Sequence, residues 1–103
     1  MKGSPELPIP VKRGLRTLGE DLSAARKRRR LTMEALAQRA LVTRQTIARI
    51  ERGDDGVAIG TYACVLFALG MADRLFAIAQ LADDQLGIDL DTEQLPTRVR
   101  TKR

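Results

Sequence analysis

Arg44, Gln45, Thr46 and Arg49 fall within six residues of one another, interleaved with Ile47, Ala48 and Ile50. An arginine guanidinium is a planar fork that matches O6 and N7 of guanine, and a glutamine amide matches N6 and N7 of adenine. Such side chains on one exposed helical face fit the major groove of DNA. Arg44, Gln45 and Arg49 are therefore candidates for base-edge contact. Thr43 and Thr46, the backbone amides at the start of that helix, and Arg52 suit phosphates instead. The alternative for any polar helix face is plain solvation, and residue type alone leaves it open.

The flanking residues specify what holds this face. Thr32 is placed to N-cap a helix running to about Ala40, and Thr43 a second running to about Arg52. Gly53 can take the left-handed conformation that ends the second helix. Leu36, Ala37 and Ala40 share one face of the first helix, and Ile47 and Ile50 one face of the second. Only Leu41 and Val42 lie between the helices, so the two must pack at a steep angle with Val42 at the corner. This is the geometry of a helix-turn-helix, whose second helix enters the major groove.

The motif resembles the helix-turn-helix of the lambda-type phage repressor and Cro group, the XRE family. Leu31, Thr32, Leu36, Ala37, Ala40, Val42, Thr43, Ile47, Ala48, Ile50, Glu51 and Gly53 match its pattern without a gap. The resemblance implies an all-α, five-helix lambda-repressor-like domain. It also implies that Arg26, on the helix before the motif, pairs with Glu51 and locks the recognition helix to its scaffold. Two positions depart from the family. Met33 stands where relatives carry a phosphate-binding Gln, and Leu41 stands where they carry the turn Gly. A Leu held at positive φ costs roughly 1 kcal/mol or more.

Composition narrows the function classes. The chain has 103 residues, a net charge of +5, 44% hydrophobic residues, no Trp, one Tyr and two Phe. That suits one small helical domain and favours a polyanionic partner. With no His, Ser-His and Cys-His dyads and His-containing metal sites are excluded. No Gly-rich phosphate loop is present, and Asp54–Asp55 and Asp83–Asp84 read as loop and helix-end charges. The expectation is a protein that is not an enzyme, with no cofactor, metal or small-molecule substrate. Cys64, among apolar residues, reads as a buried small hydrophobe. No apolar run reaches transmembrane length, and Pro5, Pro8 and Pro10 interrupt the N-terminal stretch, so a cytoplasmic protein with no membrane partner is expected.

Along the chain, residues 1–16 read as a flexible N-terminal arm, 17–82 as the DNA-binding domain and 83–103 as an acidic strip with a basic tail. Thr17 and Glu20 form a capping box for a helix to about Arg29, with Leu18, Leu22 and Ala25 inward. Its closing basic run offers Lys27 and Arg28 to phosphates, or simply to solvent. A fourth helix spans Ile59 to Leu69, with Ile59, Tyr62, Leu66 and Leu69 inward and Gly70 as its stop. A fifth runs from Ala72 to about Ala82. Leu86 to Leu90 alternates apolar and polar, which fits a short C-terminal strand paired with its copy across a dimer interface. Phe67, Phe76, Ile78 and Leu81 exceed what a core of this size needs, and are candidates for the homodimer interface. A two-fold dimer implies a near-palindromic operator in double-stranded DNA.

The loop at 53–62, the stretch 69–75 and the tail Leu95-Pro96-Thr97-Arg98-Val99-Arg100 resemble the HipB-type branch of the family. That resemblance implies an antitoxin of a toxin-antitoxin pair. Such a dimer binds a HipA-like kinase toxin and represses their shared operon, with Leu95, Arg98 and Arg100 as the toxin-binding tail. A stand-alone or prophage-type XRE transcriptional regulator with no toxin partner is the alternative.

Overall fold

The computed structural model describes residues 6–94, which form helices joined by short turns and contain no strand. In chain order these are α1 (Ile9–Arg28), α2 (Met33–Ala40), α3 (Arg44–Glu51), α4 (Ile59–Ala68), α5 (Ala72–Phe76), a 3-10 turn (Leu81–Asp83) and α6 (Gln85–Gln94). The architecture is the all-α, lambda-repressor-like one that the motif implies. α2 packs on α3 and α4, α1 on α3, and α4 on α5. Their shared core is built on Leu22, Ala25, Leu36, Ala37, Ala40, Ile47, Ile50, Val65 and Leu69. Full burial of an Ile or Leu side chain contributes roughly 1.5–3 kcal/mol, so Ile47 and Ile50 fasten α3 firmly.

The first helix is longer than the sequence predicts. Residues 9–16, which the sequence alone assigns to an arm, form its opening two turns. Pro8 precedes the helix and Pro10 lies in its first turn, where a missing N–H is no loss and a fixed φ is already helical. The prolines start the helix rather than prevent it, and the Pro8 carbonyl accepts from the N–H groups of Val11 and Lys12. Thr17 therefore sits mid-helix, and the capping box with Glu20 does not form. Gly19 marks the crossing of α1 over α3. A Cβ there would stand 2.7 Å from the carbonyl oxygens of both Ile50 and Glu51.

Four consecutive helices end in the same way. In each, a left-handed residue donates its N–H to a carbonyl three residues back, and its successor donates to one five residues back. The pairs are Arg30 and Leu31, Leu41 and Val42, Gly53 and Asp54, and Gly70 and Met71. This is the Schellman arrangement, which satisfies the orphaned carbonyls of a helix end. Gly53 and Gly70, at φ near +80°, suit it, whereas Arg30 (φ 58°) and Leu41 (φ 59°) are strained there. Leu41 keeps the turn geometry usual with Gly, and its side chain is 91% exposed. Packing does not offset its backbone strain.

Several apolar positions differ from expectation. Leu18, Ile59 and Ile78 are exposed and line an open groove of about 560 Å³ together with Leu15, Tyr62 and Leu75. Cys64 is exposed, one residue off the stripe of Tyr62, Val65, Leu66 and Leu69 that α4 buries. α5 stops at Phe76 instead of reaching Ala82, because Ile78, Ala79 and Ala82 find no surface to cover them. A helix this short is sustained by tertiary packing, not by propensity. The segment predicted as a strand, Leu86–Leu90, is helical and lies within α6. Asp84 begins that helix, its Oδ1 accepting from the Gly87 N–H at 3.0 Å. Gln85 Nε2 donates to Asp89 Oδ1 one turn along, at 2.7 Å. Capping and a one-turn side-chain pair prevail over a short alternating pattern that no strand partner supports.

Leu41→Gly and Arg30→Gly should each stabilise the protein by about 1 kcal/mol, raising the melting temperature by roughly 4–8 °C. Gly70→Ala, in a spot where a Cβ meets nothing within 4 Å, should lower it by a similar amount. Thermal melts by circular dichroism check all three.

Candidate nucleic-acid interface

The motif helices form as their caps dictate. The Ala35 N–H donates to Thr32 Oγ1 at 3.0 Å and the Thr46 N–H to Thr43 Oγ1 at 3.1 Å. The Thr43 and Thr46 hydroxyls also lie 2.9 Å apart. Both threonines thereby help to fix the start of α3. Met33, in place of the usual Gln, packs against the core and presents no amide at the start of α2.

α3 divides cleanly. Ile47 and Ile50 are buried, while Arg44, Gln45 and Arg52 are exposed. At about 100° per residue, Gln45 and Arg52 stand at the centre of the outward face, with Ala48 and Arg49 flanking. Arg44 and Arg52 have no acidic partner among the described residues, and the same holds for exposed Lys27 and Arg28 at the end of α1. These cations are free to meet an external anion.

Arg26 and Glu51 form the pair that the family resemblance implies. Arg26 Nε donates to Glu51 Oε2 at 2.8 Å and its Nη2 to Oε1 at 3.1 Å, a two-pronged ion pair. Its Nη1 donates to the Leu31 carbonyl at 2.8 Å. The two side chains are only 9% and 8% exposed. The hydrogen bond to Glu51 holds the guanidinium above its ordinary range, against the pull of burial. One side chain thereby ties α1 to the end of α3 and to the segment entering α2. All three of its nitrogens are thus engaged inside the protein.

A second clasp lies beyond what the sequence shows. Arg49 Nε donates to Asp54 Oδ2 at 2.8 Å, and Asp54 Oδ1 accepts from the Gly56 N–H at 2.7 Å. The Tyr62 hydroxyl donates to the Asp54 carbonyl at 3.3 Å. In the sequence Arg49 is a candidate base contact and Asp54 a loop charge, and the left-handed turn at Gly53 brings them together. A glycine followed by an acid just past a helical Arg was the available signal. The Arg49 hydrogen bond, and after it the Gly56 N–H, hold the Asp54 carboxyl below the usual carboxylate range.

Phe67, Phe76, Ile78 and Leu81 are all exposed, on and after α4 and α5. Leu95, Arg98 and Arg100 lie outside the described residues. No helix among the described residues is long and apolar enough to cross a membrane.

Two comparisons bear on this geometry. Residues 17–83 match the helix-turn-helix domain family, more than half of the chain, and the protein belongs to that family. It is a DNA-binding helix-turn-helix protein of the XRE-like, transcription-regulating kind. The chain is also similar to the crystal structure of the clp gene regulator ClgR from Corynebacterium glutamicum. The TM-score is 0.51 and the identity 29%, over 87% of this chain and 98% of that one. None of the curated proteins matches.

Arg26→Met should destabilise the fold by about 3–5 kcal/mol, because it leaves the Glu51 carboxylate buried without a partner. Replacing both residues by Met should recover much of that loss, and urea unfolding measures each. For Asp54 the sign follows from its lowered folded-state value: the unfolded chain takes up the proton first as pH falls. The clasp's contribution is therefore complete near neutral pH and is lost as pH drops below about 4. The stability gap between wild type and Asp54→Asn should be widest near pH 7 and narrow toward pH 3.

Proposed function

We propose that this protein is a sequence-specific transcriptional repressor that binds near-palindromic DNA as a homodimer. The observation that carries the reading is the outward face of α3. Arg44 and Gln45 are exposed at its N-terminal half, on a helix held by the buried Arg26–Glu51 pair. Arg44 and Gln45 read base edges, while Arg52, Arg28 and Lys27, with the amides behind the Thr43 cap, grip phosphates.

A single motif buries too little surface for tight specific binding, so a second copy is required. The exposed Phe67, Phe76, Ile78 and Leu81 support an apolar dimer contact, with the two recognition helices about one DNA turn, roughly 34 Å, apart. The likeness to a gene regulator, over nearly the whole of that chain, supports transcriptional regulation. The HipB-type antitoxin, which the sequence resemblance puts first, is the second reading here. The resemblance of residues 53–62 and 69–75 to that branch supports it. There a HipA-like kinase toxin would be held through the tail residues Leu95, Arg98 and Arg100. Removing residues 92–103 separates the two. An antitoxin loses its toxin and keeps its operator, whereas a stand-alone regulator has no kinase to co-purify. On either reading the work is binding, and no catalysis is assigned.

Selection of binding sites from a random duplex pool provides the operator. On it, Arg44→Ala and Gln45→Ala should each cost about 1–3 kcal/mol and relax one or two positions. Arg52→Ala and Arg28→Ala should weaken binding to every sequence and flatten its salt dependence. The same profile from both groups would overturn these roles. Sedimentation at micromolar concentration should give a dimer on DNA, and a monomer both free and bound would sink that part of the proposal.

A further inference from the structure

We infer that Asp54 is a positioning residue of the DNA-reading surface: it grips Arg49 by the Nε edge and leaves the terminal pair of Nη groups as a fixed two-pronged donor for a guanine. The inference rests on the DNA-binding reading above.

Arg49 lies one turn beyond Gln45 on the outward face of α3, about 40° to one side. A free arginine there would sample many rotamers and lose that entropy on binding. Here its Nε is bound to Asp54 Oδ2, while neither Nη group has a protein acceptor among the described residues. Its Nη2 lies so close to Gly56 that a Cβ there would come within 3.1 Å of it. Asp54 is in turn immobilised. Its other carboxylate oxygen takes the Gly56 N–H, its carbonyl takes the Tyr62 hydroxyl, and its own N–H donates to the Arg49 carbonyl at 3.0 Å. The acid is thus anchored by the turn that ends α3, by the loop after it and by α4.

The charge arrangement favours a base edge over a phosphate for this arginine. The Asp54 carboxylate offsets much of the charge of Arg49, so the pair attracts a phosphate far less than a lone cation would. The fork geometry is untouched, because the Nη1–Nη2 edge still presents two parallel donors spaced for O6 and N7. Arg49 therefore supplies discrimination more than raw affinity, in contrast to unpaired Arg52.

The test uses the full chain, a site selected from a random duplex pool and an unrelated duplex of equal length. The quantity read is the ratio of the two affinities. Asp54→Asn, which keeps an oxygen for the Gly56 N–H, should lower the ratio roughly tenfold, with the loss concentrated at one base pair. In an Arg49→Ala background the same change should have no further effect. Arg49→Lys keeps a cation beside Asp54 but cannot form the fork, so it should lower the ratio as far as Arg49→Ala does. Equal loss on both duplexes with the ratio intact would make Asp54 merely structural and overturn the inference. So would a full-sized effect of Asp54→Asn without Arg49, or a wild-type ratio for Arg49→Lys. A wild-type protein that enriches no site would instead sink the DNA-binding reading itself, and this inference with it.

Discussion

The orientation of α3 depends on one buried ion pair more than on any other contact. Apolar packing through Ile47 and Ile50 holds the helix against the core, but packing of that kind is non-directional and tolerates rotation and sliding. The Arg26 guanidinium does not. Its nitrogens reach Glu51 and the Leu31 carbonyl in one plane, so the end of α3, the end of α1 and the entry to α2 are fixed relative to each other. Gly19 makes this possible by letting α1 lie almost on the backbone of α3. A side chain at that crossing would push the helices apart and stretch the pair.

Buried ion pairs are poor sources of net stability, since desolvation offsets most of their attraction. The value of this one lies in geometry. A recognition helix must present its side chains within a fraction of an ångström of the bases, and a rotation of a few degrees moves an arginine tip by more than that. The Asp54 clasp repeats the device at the other side of the same helix, in a wetter setting. A buried acid fixes the helix, and a half-exposed acid fixes one side chain upon it. Helix and loop thus divide the task between them.

The motif was legible because its signals are local and redundant. Thr32 and Thr43 cap, Gly53 terminates, and Leu36, Ala37, Ala40, Ile47 and Ile50 repeat at helical spacing, so every level points to the same structure. Elsewhere single rules misled. Pro8 and Pro10 read as an interruption, yet prolines in a first turn initiate helices, and the apolar stripe of α1 begins at Leu15. Alternation at Leu86–Leu90 pointed to a strand, but five residues cannot distinguish periods reliably, and the Asp84 cap decided otherwise. Cys64 was misplaced by composition, because a run of apolar residues on a surface helix must leave some of them outside. Of the candidate contacts, the sequence supplied the residue types and the face, and the Arg26–Glu51 pairing came through family resemblance. The Asp54–Arg49 pairing was hidden because it depends on how sharply the chain turns at Gly53.

The packing order of the helices also bears on how quickly the fold assembles. α1 touches α3, α2 touches α3 and α4, and α4 touches α5, so the principal contacts join neighbours or next neighbours along the chain. Loops of that length cost little entropy to close, and domains dominated by such local contacts fold in microseconds to milliseconds. The motif and the helix that braces it are complete by Glu51, with α4 following a few residues later. A chain emerging from the ribosome at tens of residues per second or fewer would therefore hold its recognition helix in place almost as soon as that segment is free.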